Sequence, residues 1–335
     1  MLKTLIYKSK RIHGLSNKPS KGLLEKWWRQ SISEGLKNVY GDDAPDFRFE
    51  LVYWADILHE TPLDEDITDA NNPLYIAEPY KKGLSRRKYV VKEKRKKNSK
   101  SLLKFFSHLL LNKDLSINYT YITDAIVHKY YKDLEAYYYR KKEIAKDEVF
   151  IKDLIRKRLI RILKKYENDE ILLLAHSMGS IIAYDVLSYY GKEFNIDTFL
   201  TFGSPLGFPV VIGKIAEELK LKQPDLKRLT TPESVASKWS NFSDIEDKVA
   251  IYDQLANDFD MNSLGVKVVD TEVFNDYRLN KEVNPHKSFG YLRTEEIAKA
   301  IFEFAYGEKP ILKKRFRLKF LKFLIDIKIK TKKKK

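Results

Sequence analysis

The sequence predicts an α/β protein: a mostly parallel sheet with helices on both faces, interrupted by a helical cap insertion. Three observations predict it. Residues 171–175 (ILLLA) form an unbroken apolar run, as expected of a strand buried on both faces. Sequences of helical period flank that run on both sides. Strand-like and helix-like patterns then alternate along the chain, which is the pattern of parallel strands joined by covering helices.

Residues 2–7 read as a short strand, after which Ser20 can cap a helix whose apolar positions Leu24, Trp27, Trp28, Ile32 and Leu36 recur every three or four residues. Residues 47–54 (FRFELVYW) read as a second strand. From Asp56 to about Asp147 the pattern loosens into basic, Tyr-rich sequence with helices expected near 101–111 and 120–145. The division expected is therefore a core of residues 1–55 and 147–306, an insertion at 56–146 and a tail at 307–335. Over residues 148–166, Ile151, Leu154, Ile155, Leu159, Ile162, Leu163 and Tyr166 mark one helical face. A helix from about Met178 to Tyr190 follows the 171–175 strand. Residues 196–202, 235–242 and 266–270 supply further strands, and 294–306 a last helix that Gly307 terminates.

Composition narrows the chemistry. With 335 residues, 43% of them apolar, the chain can bury a sizeable core, and with no Cys it has no disulfide, thiolate metal site or Cys nucleophile. The apolar stretch Leu5, Ile6, Tyr7 is too short for a signal-peptide core, and no run approaches the roughly 20 residues of a membrane-spanning helix. The expected location is the cytoplasm, with peripheral contact at the inner face of a membrane. The net charge of +16 is concentrated: residues 81–104 and 310–335 each hold twelve Lys/Arg against one acidic residue, which leaves the remaining chain mildly acidic.

The stretch LLLAHSMGSIIAYDVL, residues 172–187, carries the chemistry. Ser177 falls between a buried strand and a helix, with Ala175 two residues before it and Gly179 two after. A serine in so sharp a strand-to-helix turn needs small neighbours at those two positions, because strand and helix approach closely there. The turn exposes Oγ, and the N–H of Met178 at the helix N-terminus can stabilise an oxyanion.

This stretch resembles the α/β-hydrolase superfamily, within it the lipase and esterase branches with a His-Ser pair at the turn; Ala175 stands where the family usually has Gly. The resemblance implies the order Ser, acid, His along the chain. After Ser177 one His remains, His286, in the loop VNPHKSFGYL where the family carries its base. The acid is implied in WSNFSDIEDKVAIYD, where Asp244, Glu246 and Asp247 compete; the family's Asp followed two residues later by Val matches Asp247 and Val249, with Asp244 as the alternative. His13-Gly14-Leu15 matches the family's oxyanion loop, implying the N–H of Leu15 as second donor and His13 as a brace of that loop. The segment TFGSPLGFP, residues 201–209, is read as a structural turn beneath the site. The implied activity is hydrolysis of carboxylic esters or lipids through an acyl-enzyme, without metal or organic cofactor.

The tail KKRFRLKFLKFLIDIKIKTKKKK interleaves cations with large apolar side chains, a composition that favours anionic membrane surfaces. The alternative is docking of its apolar residues on the protein body. Residues 81–100, with tyrosines nearby, raise a nucleic-acid contact, but such tyrosines more often pack helices and nucleic acid is not the expected partner. A competing functional class is a catalytically inert hydrolase-fold module that binds anionic lipid or nucleic acid.

Overall fold

Six strands pair side by side in the computed structural model, which describes residues 7–14, 16–83, 134–144, 146–190, 193–251, 253–280 and 282–307. They are β1 (Tyr7–Ile12), β2 (Phe47–Val52), β3 (Ile171–His176), β4 (Ile196–Phe202), β5 (Val235–Ser243) and β6 (Val268–Glu272). Every pairing is parallel, in the spatial order β6-β5-β4-β3-β1-β2. The α/β class is thus present.

Helices cover both faces. On one side α2 (Ile151–Lys165), α3 (Met178–Tyr189) and α4 (Pro209–Lys220) pack on Ile12, Leu173 and Ala175. On the other, α1 (Lys21–Tyr40), α5 (Ser288–Leu292) and α6 (Glu295–Tyr306) pack on Leu51, Leu172 and Leu174. Alternate residues of β3 therefore feed two separate cores, which is why its sequence is apolar at every position. Ser20 caps α1 by accepting from Leu23 N at 3.4 Å, and Thr294 caps α6 by accepting from Ile297 N.

Three expectations shift. The first strand is Tyr7–Ile12 rather than 2–7, and residues 1–6 lie outside the described ones. It is an interior strand, paired with both β1 neighbours β2 and β3, and yet it buries Lys10 and Arg11. Aromatic faces take the place of solvent: Lys10 Nζ lies 2.9 Å from the Tyr166 ring centroid, and the Arg11 guanidinium 3.7 Å from that of Phe49. The strand expected at 266–270 spans Val268–Glu272. Where a helix was expected to reach 145, residues 134–139 are helical but an antiparallel hairpin, Lys141–Ile144 with Asp147–Phe150, follows and turns at Lys146 with φ 76°. The helix expected at 101–111, most of the basic run 81–104 and residues 308–335 lie outside the described residues. Among the described residues no helix is long and apolar enough to cross a membrane.

The 134–139 segment is fastened to the body by a buried polar knot. Arg156 on α2 donates to Asp185 on α3 and Glu218 on α4, both at 2.8 Å, and to the Tyr137 hydroxyl at 3.1 Å, which itself donates to Asp185. Removing one member of a buried ionic group leaves the rest uncompensated, a loss of about 3–5 kcal/mol. Arg156→Met is therefore expected to lower unfolding stability by about that amount, measured by urea denaturation; a change below about 1 kcal/mol would mean the knot is solvated.

Candidate functional site

The sheet order reverses between β1 and β3. The chain leaving β1 enters α1 on one face, whereas the chain leaving β3 enters α3 on the other. Such a reversal opens a crevice at the carboxyl ends of the strands, the usual ligand position in open α/β sheets. His13 and Gly14 follow β1 there, and Ser177 follows β3.

Ser177 adopts φ 54° and ψ −129°, a left-handed conformation for a residue with a side chain, and its N–H donates to Phe202 O at 3.1 Å. The turn requires the small residue that follows it: a Cβ on Gly179 would stand 2.5 Å from Ile12 O. A Cβ on Gly14 would stand 2.8 Å from Ser177 Cβ, so the loop after β1 also needs glycine to come this close. Met178 is the first helical residue of α3, so its N–H is one of the donors that an α-helix leaves without an internal partner.

His286 and Asp247 complete a line. His286 Nε2 lies 3.0 Å from Ser177 Oγ, and His286 Nδ1 lies 3.0 and 2.9 Å from the two oxygens of Asp247. A carboxylate facing Nδ1 holds the proton on that nitrogen and leaves the lone pair of Nε2 to accept from the serine hydroxyl. The Asp247 side chain is wholly buried and Ser177 is buried too, while the His286 side chain is 21% exposed, so the line meets solvent at the imidazole. Asp247 also accepts from Val249 N at 2.9 Å and from the Tyr291 hydroxyl at 2.7 Å. Burial, reinforced by the Asp247 and Asp244 carboxylates, pushes the Tyr291 hydroxyl well above its ordinary range and keeps it a donor.

Asp244 stands apart from the imidazole's hydrogen bonds. Its carboxylate accepts from Glu246 N and from Asn275 N, and its own N–H donates to the Tyr291 hydroxyl. Glu246 is an exposed loop residue. Of the three competing acids, the structure thus brings Asp247 to His286.

Two further histidines brace the site. His176 Nε2 donates to His286 O at 2.9 Å. His13 accepts from Trp54 N at Nε2, donates from Nδ1 to Gly14 O at 2.7 Å, and stacks on the Trp54 ring. Burial drives the His13 imidazole down to about 3, helped by Lys18. Burial, then the neighbouring His286, also carries His176 well below the ordinary range. Both rings are therefore neutral braces. The 201–209 segment packs beneath: Gly203, at φ 54°, leaves room for Asp247 and His286, and the Ser204 hydroxyl accepts from Ser180.

Ser177 and His286 open into a cleft of about 450 Å³. Leu24, Trp27 and Phe289 form an apolar wall, while Lys18, Glu78 and Lys287 supply its charges. Glu78, in the stretch between β2 and α2, reaches the loop that carries His286, accepting from Asn284 Nδ2 at 2.6 Å and from Lys287 Nζ at 3.0 Å. Burial opposes its ionisation, but Lys287 and these hydrogen bonds outweigh that and hold its carboxyl below the usual range. Leu15 lies outside the described residues. Glu78, Tyr291, Asn275 and the bracing role of His176 escaped the sequence reading, since no local spacing announces contacts between loops so distant in the chain. Among the described residues no group of three or more His, Cys, Asp or Glu could hold a metal ion.

The neutral burial of His13 has a measurable consequence. Its folded value of about 3 lies below the ordinary 6.5, so unfolding takes up a proton between those values. The stabilisation is complete above pH 6.5 and is lost as the pH falls towards 3. Each such group contributes a slope approaching about 1.4 kcal/mol per pH unit. Urea unfolding of the wild type and His13→Gln at several pH values from about 7 to about 4.5 is expected to give a shallower acid loss in the variant. Equal slopes would place the ring in a solvated position.

No family model matches the chain, and no curated protein matches it. Among solved structures, an uncharacterized protein from Bacillus cereus ATCC 10987 is similar, with a TM-score of 0.33, 10% identity and coverage of 91% of this chain. This chain spans 60% of the length of that protein.

Proposed function

We propose that the protein is a serine hydrolase of the α/β-hydrolase type that cleaves carboxylic esters through an acyl-enzyme. The observation that carries this reading is the hydrogen-bonded line Asp247–His286–Ser177, of which Ser177 and His286 line the cleft. Two features support the fold type: the serine turn follows β3, inside an all-parallel sheet, and the chain order is Ser177, Asp247, His286.

In this scheme Ser177 Oγ attacks the ester carbonyl carbon while its proton passes to His286 Nε2. Asp247 orients the ring and stabilises the imidazolium that forms. The N–H of Met178, together with that of Leu15 by the sequence resemblance, stabilises the developing oxyanion. Collapse of the tetrahedral intermediate expels the alcohol, which takes the proton from His286. Water then repeats the sequence at the acyl carbonyl and regenerates Ser177. Val249 N and the Tyr291 hydroxyl each donate to one oxygen of Asp247 and hold its carboxylate with both oxygens against the imidazole.

Ser177 is expected to label with a fluorophosphonate probe, and Ser177→Ala to lose both labelling and hydrolysis of short p-nitrophenyl esters. Hydrolysis unchanged in that variant would refute the scheme. An unlabelled wild type that still bound anionic vesicles or nucleic acid would favour the inert binding module. Asp247→Asn is expected to lower turnover on the order of 10⁴-fold by destabilising the required imidazole tautomer. Asp244→Asn keeps an acceptor for Asn275 N and is expected to lose far less. A larger loss at Asp244 would transfer the acid's role.

Association with anionic membranes through residues 310–335 is a proposal from the sequence, since these residues lie outside the described ones. Sedimentation with phosphatidylserine-containing vesicles is expected, partly resistant to high salt because the apolar side chains add attraction that salt does not screen. Absence of binding at low salt would discard the proposal.

A further inference from the structure

We propose that Asn275 is a positioning residue: its side-chain amide clamps the loop that carries His286 and so fixes the imidazole in register with Ser177. The inference rests on the hydrolase reading above for its kinetic consequence, and on the geometry alone for the positioning itself. His286 lies between the short hairpin Arg278–Leu279/Glu282–Val283 and α5, in a stretch with no sheet ladder to hold it. Its backbone is held by side chains instead. Asn275 Nδ2 donates to Pro285 O at 2.7 Å and to Lys287 O at 2.8 Å, spending both amide protons on the carbonyls that flank His286. His286 O, between them, accepts from His176, and His286 N donates to Asn284 Oδ1 at 3.0 Å.

The orientation of the amide is determined. Asn275 Oδ1 accepts from Tyr277 N at 3.1 Å, so a flipped amide would turn its oxygen towards two carbonyls and its NH2 towards a donor. Asn275 is fully buried, and the space it occupies exists because residue 290 is glycine: a Cβ there would lie 1.6 Å from Asn275 Oδ1. The clamp is anchored at its own backbone, where Asn275 N donates to Asp244 Oδ2 at 2.7 Å. The hydrogen bonds of Asn275 thus reach the imidazole through the backbone of residues 285–287. This arrangement also gives Asp244 a place in the site other than that of the triad acid.

The test compares the wild-type chain with Asn275→Asp, Asn275→Ala and Asp244→Ala. Asn275→Asp keeps the side-chain shape but sets oxygen against the two carbonyls; Asp244→Ala releases the clamp from its far side and leaves Asn275 intact. Turnover of a p-nitrophenyl ester is measured per active site, counted by exhaustive fluorophosphonate labelling, and folding is checked by far-UV circular dichroism at the assay temperature. Misplacement of a reacting group by about 1 Å can lower a rate on the order of 10²-fold, so a loss of that order in kcat is expected for Asn275→Asp with KM within about twofold. The low-field proton resonance of His286 Nδ1–H facing Asp247 is expected to shift or broaden in all three folded variants and to be unaffected in Lys299→Ala, an exposed site on α6. Unchanged kcat per active site with an unchanged resonance would overturn the proposal, as would a rise in KM alone. Unfolding of all three variants would overturn it in favour of a role in folding. A wild type that neither labels nor hydrolyses would refute the hydrolase reading, and the resonance would still decide whether Asn275 positions His286.

Discussion

Every residue that meets at the cleft does so because the sheet changes its direction of growth once, between β1 and β3. Strands on either side of that point send their chains to opposite faces, α1 to one and α3 to the other, and the two departing segments leave a gap at the carboxyl edge. Because all six strands run the same way, each loop after a strand returns to this edge. The loops after β1, β3, β4, β5 and β6 bring His13, Ser177, Gly203, Asp247 and His286 into one neighbourhood from positions more than two hundred and seventy residues apart in the chain. A single antiparallel reversal in the sheet interior would send one of those loops to the opposite edge.

Crowding loops at one edge creates a problem that the strands do not have. A ladder satisfies its own backbone groups, but a buried loop must find partners elsewhere. Here short polar side chains supply them. Asp244 and Asn275 secure the segment after β6, Asn284 and Asp247 secure the turns they begin, and His176 reaches from the end of β3 to the loop around His286. The consequence is that Ser177 and His286 are not merely adjacent. The residue preceding Ser177 is hydrogen-bonded to the backbone of His286 itself, which couples the two loops through one bond.

The elements legible in the sequence are those specified by near neighbours along the chain. The ILLLA run of β3, the periodic face of α2, the cap at Ser20 and the small residues around Ser177 all depend on spacing within a few residues, and the structure contains each of them. What was misread depends on distant partners. The first strand is placed at 2–7 rather than Tyr7–Ile12, because the rings that cover Lys10 and Arg11, Tyr166 and Phe49, lie far along the chain. Asn275 carries no signal, since its amide is answered by carbonyls of ordinary residues, whose side chains are irrelevant to the contact.

The left-handed backbone at Ser177 has a meaning for how this sequence changes over generations. A residue with a side chain in so sparsely populated a region is strained by about 1–3 kcal/mol. Glycine would remove that strain, and the extra chain entropy glycine loses on folding, about 0.5–1 kcal/mol, is the smaller quantity. A lineage selected for folding alone would therefore drift towards glycine at position 177. Serine at this position thus carries its hydroxyl at a cost in stability.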